Sequence, residues 1–373
     1  MTGKPAQNQA EAGRIIISVD AMGGDAGPAV VVAGIAMSAE RNPDIGFILH
    51  GPAAELEPLV ARKRVLKGRV EIRDADKVVT MEDKPSQVMR NGKGTSMWSA
   101  LDAVKSGEAA GAVSCGNTGA LMALSMLRLR KLPGINRPAI AILWPSRNPQ
   151  GFNVMLDVGA DVKADAEDLL QYALMGTSYV RNSMDIARPR VGLLNVGTEE
   201  HKGRAELKEA HRLIAASADA ASFEFTGFVE GSDIPGDTAD VIVTDGFTGN
   251  VAIKTGEGTA SLMRSALRQA FEYSVLSRMA ALLAVTSLRR LSKRMDPRRV
   301  NGGVFLGLNG TVVKSHGGAD AMGVSAAVKL AYRLAEQGFA EKLAARVASA
   351  GGLTQDNIDK TAPRTLRTAS KKD

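Results

Sequence analysis

The stretch Ile15-Ile16-Ile17-Ser18-Val19-Asp20-Ala21-Met22-Gly23-Gly24-Asp25-Ala26-Gly27-Pro28 decides the fold class. Its β-branched run reads as a buried strand, the double glycine ends that strand, and Pro28 stands where a helix begins. A strand that turns through glycine into a helix offers backbone N–H groups and a helix N-terminus to an anion. The spacing is not G-x-G-x-x-G and lacks the G-K-[ST] of a P-loop, so the motif argues against a dinucleotide fold and an NTPase. Asp20, Gly23 and Gly24 are therefore candidate phosphate or substrate ligands.

Outward from this unit, short apolar runs read as strands at Gly46–His50, Val70–Arg73, Gly111–Cys115, Ile140–Trp144, Val154–Val158, Val191–Val196, Phe223–Phe228 and Val241–Thr244. Helical patterns lie between many of them, at Ala29–Arg41, Met97–Ser106, Leu121–Arg130, Ala166–Val180 and Ala205–Ala218. Such alternation implies a Rossmann-like α/β/α architecture around a doubly wound, mostly parallel sheet, with ligands beyond the carboxyl ends of the strands. Asn309-Gly310 between Phe305–Leu308 and Thr311–Lys314 signals a type I′ hairpin and an antiparallel addition to that sheet. A single α/β/α domain is expected over 14–350, after a polar, disordered extension at 1–13 and before a basic, disordered tail at 351–373.

The 373 residues are 45% hydrophobic and 23% charged, an ordinary balance for a soluble domain able to bury a large core. Residues 1–13 contain no apolar signal segment, and the longest apolar stretch, Met279 to Leu288, is too short to span a bilayer. A cytoplasmic protein is expected. Cys115 is the single cysteine, which excludes an internal disulfide and a multi-cysteine zinc site. The net charge of +7 is concentrated: residues 261–300 hold nine Arg and Lys against Glu272 and Asp296, so the remainder is neutral in sum. With only 4% aromatic residues there is little to stack on bases, and acidic lipid or an acidic carrier protein suits this segment better than nucleic acid.

Four further strand-end turns share the chemistry of the first. Ser114-Cys115-Gly116-Asn117-Thr118-Gly119 offers amide, hydroxyl and backbone donors, with Asn117, Thr118 and Gly119 as candidates. Asn195-Val196-Gly197-Thr198-Glu199-Glu200-His201-Lys202-Gly203 adds a cation. Thr244-Asp245-Gly246-Phe247-Thr248-Gly249-Asn250 leads toward a helix beginning near Val251, and contributes Asp245, Thr248 and Gly249. Lys314-Ser315-His316-Gly317-Gly318 contributes His316. Arg90 and Lys93, in Arg90-Asn91-Gly92-Lys93-Gly94-Thr95-Ser96, are candidate phosphate or phosphopantetheine contacts, with Ser96 capping a helix at Met97. A glycine turn taken alone is usually structural, a lysine after Glu-Glu-His is usually a solvated charge, and an Asn before a helix is usually its cap.

Together with Asp157-Val158-Gly159-Ala160-Asp161, these strings resemble, in order and wording from about Ile15 to Asp320, the bacterial phosphate acyltransferases. That family makes acyl phosphate from acyl carrier protein for phospholipid synthesis. Cys115 stands where a small residue such as alanine is familiar, and Asp161 where Asn is. The resemblance implies a fold related to phosphate acetyltransferases and isopropylmalate-type dehydrogenases, a homodimer, no cofactor, and catalytic roles at Lys202 and Asn250. Attack of inorganic phosphate on a thioester needs a dianion cradle, donors to an oxyanion and a proton for the departing thiol. Lys202 suits the phosphate charge and Asn250 the carbonyl oxygen.

Two other readings stay open at this stage. Asp157, Asp161 and Asp245 are strand-end carboxylates of the kind that hold magnesium in a metal- and NAD(P)-dependent dehydrogenase. A non-enzymatic membrane-surface scaffold is the other. The pattern of Leu276, Leu282 and Leu283 beside Arg289, Arg290, Lys293 and Arg294 describes an amphipathic helical insertion at 261–300. It fits peripheral contact with an anionic membrane, near a membrane-bound glycerol-phosphate acyltransferase, or equally a subunit interface or a carrier-protein surface.

Overall fold

Ile15–Asp20 forms strand β1 with the bounds its β-branched residues suggest. The computed structural model describes residues 13–294 and 302–346, so the expected extension up to residue 12 and the tail at 351–373 lie outside the described residues. Ten further strands follow: β2 (Ile45–Gly51), β3 (Val70–Asp74), β4 (Gly111–Ser114), β5 (Ala139–Pro145), β6 (Phe152–Leu156), β7 (Arg190–Leu194), β8 (Glu224–Val229), β9 (Val241–Val243), β10 (Gly303–Leu306) and β11 (Thr311–Lys314). They make one sheet in the order β3-β2-β1-β4-β11-β10-β5-β6-β9-β7-β8.

The sheet has two parallel halves that run in opposite directions. β3, β2, β1, β4 and β11 are mutually parallel, as are β6, β9, β7 and β8. Antiparallel pairings of β11 with β10, β10 with β5, and β5 with β6 reverse the direction between them. The carboxyl ends of the halves therefore face opposite edges, and the glycine turns are divided between those edges. The hairpin is also a correction. Phe305 pairs with Val312, so Gly307-Leu308-Asn309-Gly310 connects the strands instead of a two-residue turn at Asn309-Gly310. Leu308 is drawn into the core and bridges Lys131, while Gly307 and Gly310 both take positive φ to turn the chain around it.

Side chains alternate across the strands, so the sheet separates two apolar layers. One packs against α1 (Pro28–Arg41), α6 (Ala166–Met184), α7 (Ala205–Ser217) and α11 (Ala321–Glu336). The other packs against α3 (Pro85–Asn91), α4 (Ser96–Lys105) and α5 (Thr118–Arg128). A short α2 (Ala53–Ala61) follows β2. The helix starts differ from expectation in three places. α5 begins at Thr118, three residues before Leu121, because Asn117 caps it. Thr95, not Ser96, caps α4, its hydroxyl accepting from the Trp98 N–H at 3.2 Å. After β9 the chain enters α8 (Gly246–Glu272) five residues before Val251, because Asp245 caps it. This helix runs on into α9 (Val275–Leu283) and α10 (Val285–Arg294).

Candidate active site

One edge of the sheet gathers the turns after β1, β4 and β11. The Asp20 carboxylate is buried and accepts from the Ser114 hydroxyl at 2.7 Å and the Met22 N–H at 3.2 Å. Burial pushes its pKa up despite those hydrogen bonds. Lys314 donates from Nζ to the carbonyls of Cys115, at 3.3 Å, and Ser315, and burial lowers its pKa to about 8. The turns touch backbone to backbone. A Cβ at Gly23 would lie 2.6 Å from the Gly116 nitrogen, one at Gly24 would lie 3.2 Å from Cys115 Cβ, and the Asp25 N–H donates to the Gly317 carbonyl at 3.0 Å. Here Gly23 admits a neighbouring turn at a distance that a side chain would forbid, and a side chain at Gly24 would press on Cys115.

Asn117 caps α5 by accepting from the Ala120 N–H at 3.0 Å, and its amide donates to the carbonyls of Met81 (2.9 Å) and Asp83 (3.0 Å). It thereby ties the 77–95 segment over the turns, with Thr118 and Gly119 opening the helix beside it. Pro85 rests against Gly119. Arg90 and Lys93 are not brought to this edge: they are exposed at the far end of α3, where Gly92 packs near Leu124 of α5. His316 is exposed and accepts from the Gly318 N–H at 3.2 Å.

The opposite edge gathers the turns after β6, β7 and β9, and with them Lys202 and Asn250. The buried Asp157 carboxylate accepts backbone N–H groups from Ile140 (2.9 Å), Gly159 (3.2 Å), Ala160 (3.0 Å) and Asp161 (2.9 Å). Desolvation outweighs them and raises its pKa to about 6. α8 begins directly on this loop: a side chain at Gly246 would collide with the Asp161 carbonyl, and one at Gly249 with that of Asp157. Asp245 accepts from the Thr248 N–H at 2.8 Å and pairs with Arg204. Burial alone would raise Asp245, but Thr248 and Arg204 prevail and hold it below the usual carboxylate range. Asn250 is exposed in the second turn of α8 beside Gly159. Lys202, also exposed, pairs with Glu199 at 2.8 Å on the same loop.

Sequence reasoning passed over four groups. Asn195, at the end of β7, donates from Nδ2 to the carbonyls of Gly197 (3.1 Å) and Lys202 (3.3 Å). Lys254 lies four residues beyond Asn250, on the same side of α8, and its charge helps to lower Lys314. Gly256, half a turn further, packs on the Trp144 ring. The first half of α8 thus spans from one edge of the sheet toward the other. Lys314 stood in view two residues before His316, but a terminal strand lysine carries no local sign of burial. Among the described residues, Asp157, Asp161 and Asp245 form no three-ligand cluster: backbone N–H groups hold the first, Arg137 pairs with the second, and Arg204 with the third.

Chemically, the Lys202 edge presents a cation and a carboxamide on elements that follow neighbouring strands. That set suits binding of a dianion and donation to an oxyanion. A model of the fatty acid synthesis protein family matches residues 15–342. The phosphate acyltransferase of Ruegeria sp. strain TM1040 is 82% identical over 373 residues, covering 99% of this chain and 100% of its own. The chain belongs to the phosphate acyltransferase family. A second member, from Ruegeria pomeroyi, is 75% identical over 361 residues and 97% of each chain.

Among solved structures, a phosphotransacetylase from Streptococcus pyogenes shares the fold of this phosphate acyltransferase with a TM-score of 0.58. It is 17% identical and is matched over 87% of this chain and 95% of its own. EutD phosphotransacetylase from Staphylococcus aureus gives a TM-score of 0.54 at 16% identity, over 88% and 96%. The expected Rossmann-like α/β class is the class found, and family membership favours acyl transfer over the dehydrogenase and scaffold readings.

Proposed function

We propose that this phosphate acyltransferase moves a long-chain acyl group from the thioester of acyl carrier protein to inorganic phosphate for phospholipid synthesis. The observation that carries the reading is the near full-length, 82% identical match to a phosphate acyltransferase. Lys202 neutralises hydrogen phosphate as its oxygen attacks the thioester carbonyl, and Asn250 donates its amide to the developing oxyanion. Collapse breaks the C–S bond, and the proton of the attacking hydrogen phosphate ends on the departing thiolate. The products are acyl phosphate and carrier thiol. Incubation with palmitoyl carrier protein and labelled phosphate should yield labelled acyl phosphate; carrier thiol without it would overturn the reading.

Direct attack needs no enzyme nucleophile. Cys115 is buried, and burial pushes its thiol pKa up, which disfavours the reactive thiolate. Cys115→Ala is therefore expected to keep substantial activity, measured as thiol release from acyl carrier protein. An acyl-enzyme trapped on Cys115 would refute direct attack.

The same reading places the product at a membrane. Among the described residues no helix is long and apolar enough to cross one. Leu276, Leu282 and Leu283 of α9 are exposed, the last two at 72% and 87%, and Arg290 of α10 is exposed as well. The side chains of Arg289, Lys293 and Arg294 lie outside the described residues. An apolar helix face followed by basic residues supports peripheral contact with anionic lipid, where acyl phosphate can pass to a membrane-bound glycerol-phosphate acyltransferase. The expected result is that the protein, as a homodimer, floats with anionic vesicles and less with neutral ones. Leu282→Glu/Leu283→Glu should stay at the bottom and remain dimeric. A monomeric double variant, or a wild type that never floats, would assign this face to the subunit interface instead.

A further inference from the structure

Lys202 and Asn250 stand on different elements and both are exposed, so something beneath them has to set their separation. The loop that carries Lys202 is closed from inside by Asn195. This side chain is 7% exposed, and its Nδ2 reaches carbonyls five residues apart, those of Gly197 and Lys202. Gly203 then takes a φ of +85° where the chain passes the Asn195 carboxamide, and any side chain there would collide with it. One residue on, Arg204 precedes α7 without capping it, and its guanidinium turns to Asp245. Asp245 is buried and is also the cap of α8, the helix that presents Asn250. One carboxylate thus joins the end of the Lys202 loop to the first turn of the Asn250 helix. Nothing in the loop's own sequence requires this, because Arg204 and Asp245 are 41 residues apart.

We propose that Asn195 and Arg204 are positioning residues of the transfer reaction: Asn195 closes the Lys202 turn, and Arg204 registers that turn against the cap of α8. This rests on the catalytic reading of Lys202 and Asn250 given above. A misplacement of about 1 Å at a reacting group costs on the order of 10²-fold in rate, so loosening either tie should lower kcat with both catalytic side chains still present.

Five variants test this by acyl phosphate formation and thermal midpoint: Asn195→Ala, Arg204→Ala, Arg204→Lys, Lys202→Ala and the double variant Lys202→Ala/Arg204→Ala. Asn195→Ala and Arg204→Ala should each lose about 10-fold or more in kcat, with a smaller change in the KM for phosphate, by the same geometric sensitivity. Arg204→Lys should recover most of the loss, since an ammonium restores the charge beside Asp245. In the Lys202→Ala background, Arg204→Ala should add less than about a further twofold loss, because the group it positions is gone. An equal loss in both backgrounds would mark Arg204 as merely structural. Full activity of Arg204→Ala together with Asn195→Ala, against an impaired Lys202→Ala, would overturn the positioning alone. Wild-type turnover in Lys202→Ala would instead overturn the catalytic reading beneath it. Arg204 is exposed, so its variants stay informative if Asn195→Ala fails to fold.

Discussion

Lys202→Ala and Asn250→Ala are each expected to lower the turnover of acyl phosphate formation about 10²–10³-fold, the usual cost of one positioned donor at a developing charge. Both side chains are exposed, and neither supports the core. The main partner that Lys202 leaves behind is Glu199, itself exposed on the same loop, so folding should be unaffected. The two losses should also differ in kind. In the proposed mechanism Lys202 meets the phosphate dianion in the ground state as well as in the transition state, so its removal should raise the KM for phosphate along with lowering kcat. Asn250 is assigned to an oxyanion that exists only during transfer, so its removal should act mainly on kcat. Steady-state kinetics at varied phosphate separates the two. Wild-type kcat in either well-folded variant removes that residue from the mechanism.

Substitutions at two glycines of one helix should shift stability in opposite directions. Gly249→Ala would drive a methyl group into the backbone carbonyl of Asp157, and no rotamer change can relieve that. Either the start of α8 or the loop 157–161 has to move, and the latter is pinned by the four N–H groups that Asp157 accepts. Overpacking of this kind costs about 3 kcal/mol, and activity should fall with it because Asn250 is the next residue. Gly258→Ala, about two and a half turns further along, meets nothing within 4 Å and sits in helical backbone. It should stabilise by about 0.5–1 kcal/mol through lower unfolded-state entropy. Urea denaturation midpoints provide the measurement. An unchanged midpoint for Gly249→Ala would mean that α8 does not start on the Asp157 loop.

The parts of the site legible beforehand were those with local signatures. Glycine strings after apolar runs marked the strand-end turns at which most of the candidate residues lie, since a strand's end and a helix's start are set within a few residues; Arg90 and Lys93, at the end of α3, are the exceptions. The grouping of the turns was not legible. Asp20 and Asn117 share one edge and Lys202 and Asn250 the other because three antiparallel pairings reverse the second half of the sheet. An alternating strand reads the same whichever way it runs. The start of α8 escaped for a related reason: Gly246 and Gly249 look like loop residues, yet they are helical under the Asp245 cap, and their missing side chains let the helix lie against the Asp161 and Asp157 carbonyls.

The alternation of strands and helices, the position of each strand-end glycine turn and membership of the phosphate acyltransferase family all follow from residue type and short-range order. Which turns meet, the place of β10 and β11 inside the sheet and not at its rim, and the reach of Arg204 to Asp245 do not. Those outcomes depend on contacts between residues far apart in the chain. Burial, backbone pairing and charge choose among such contacts only once the two halves of the sheet are packed together.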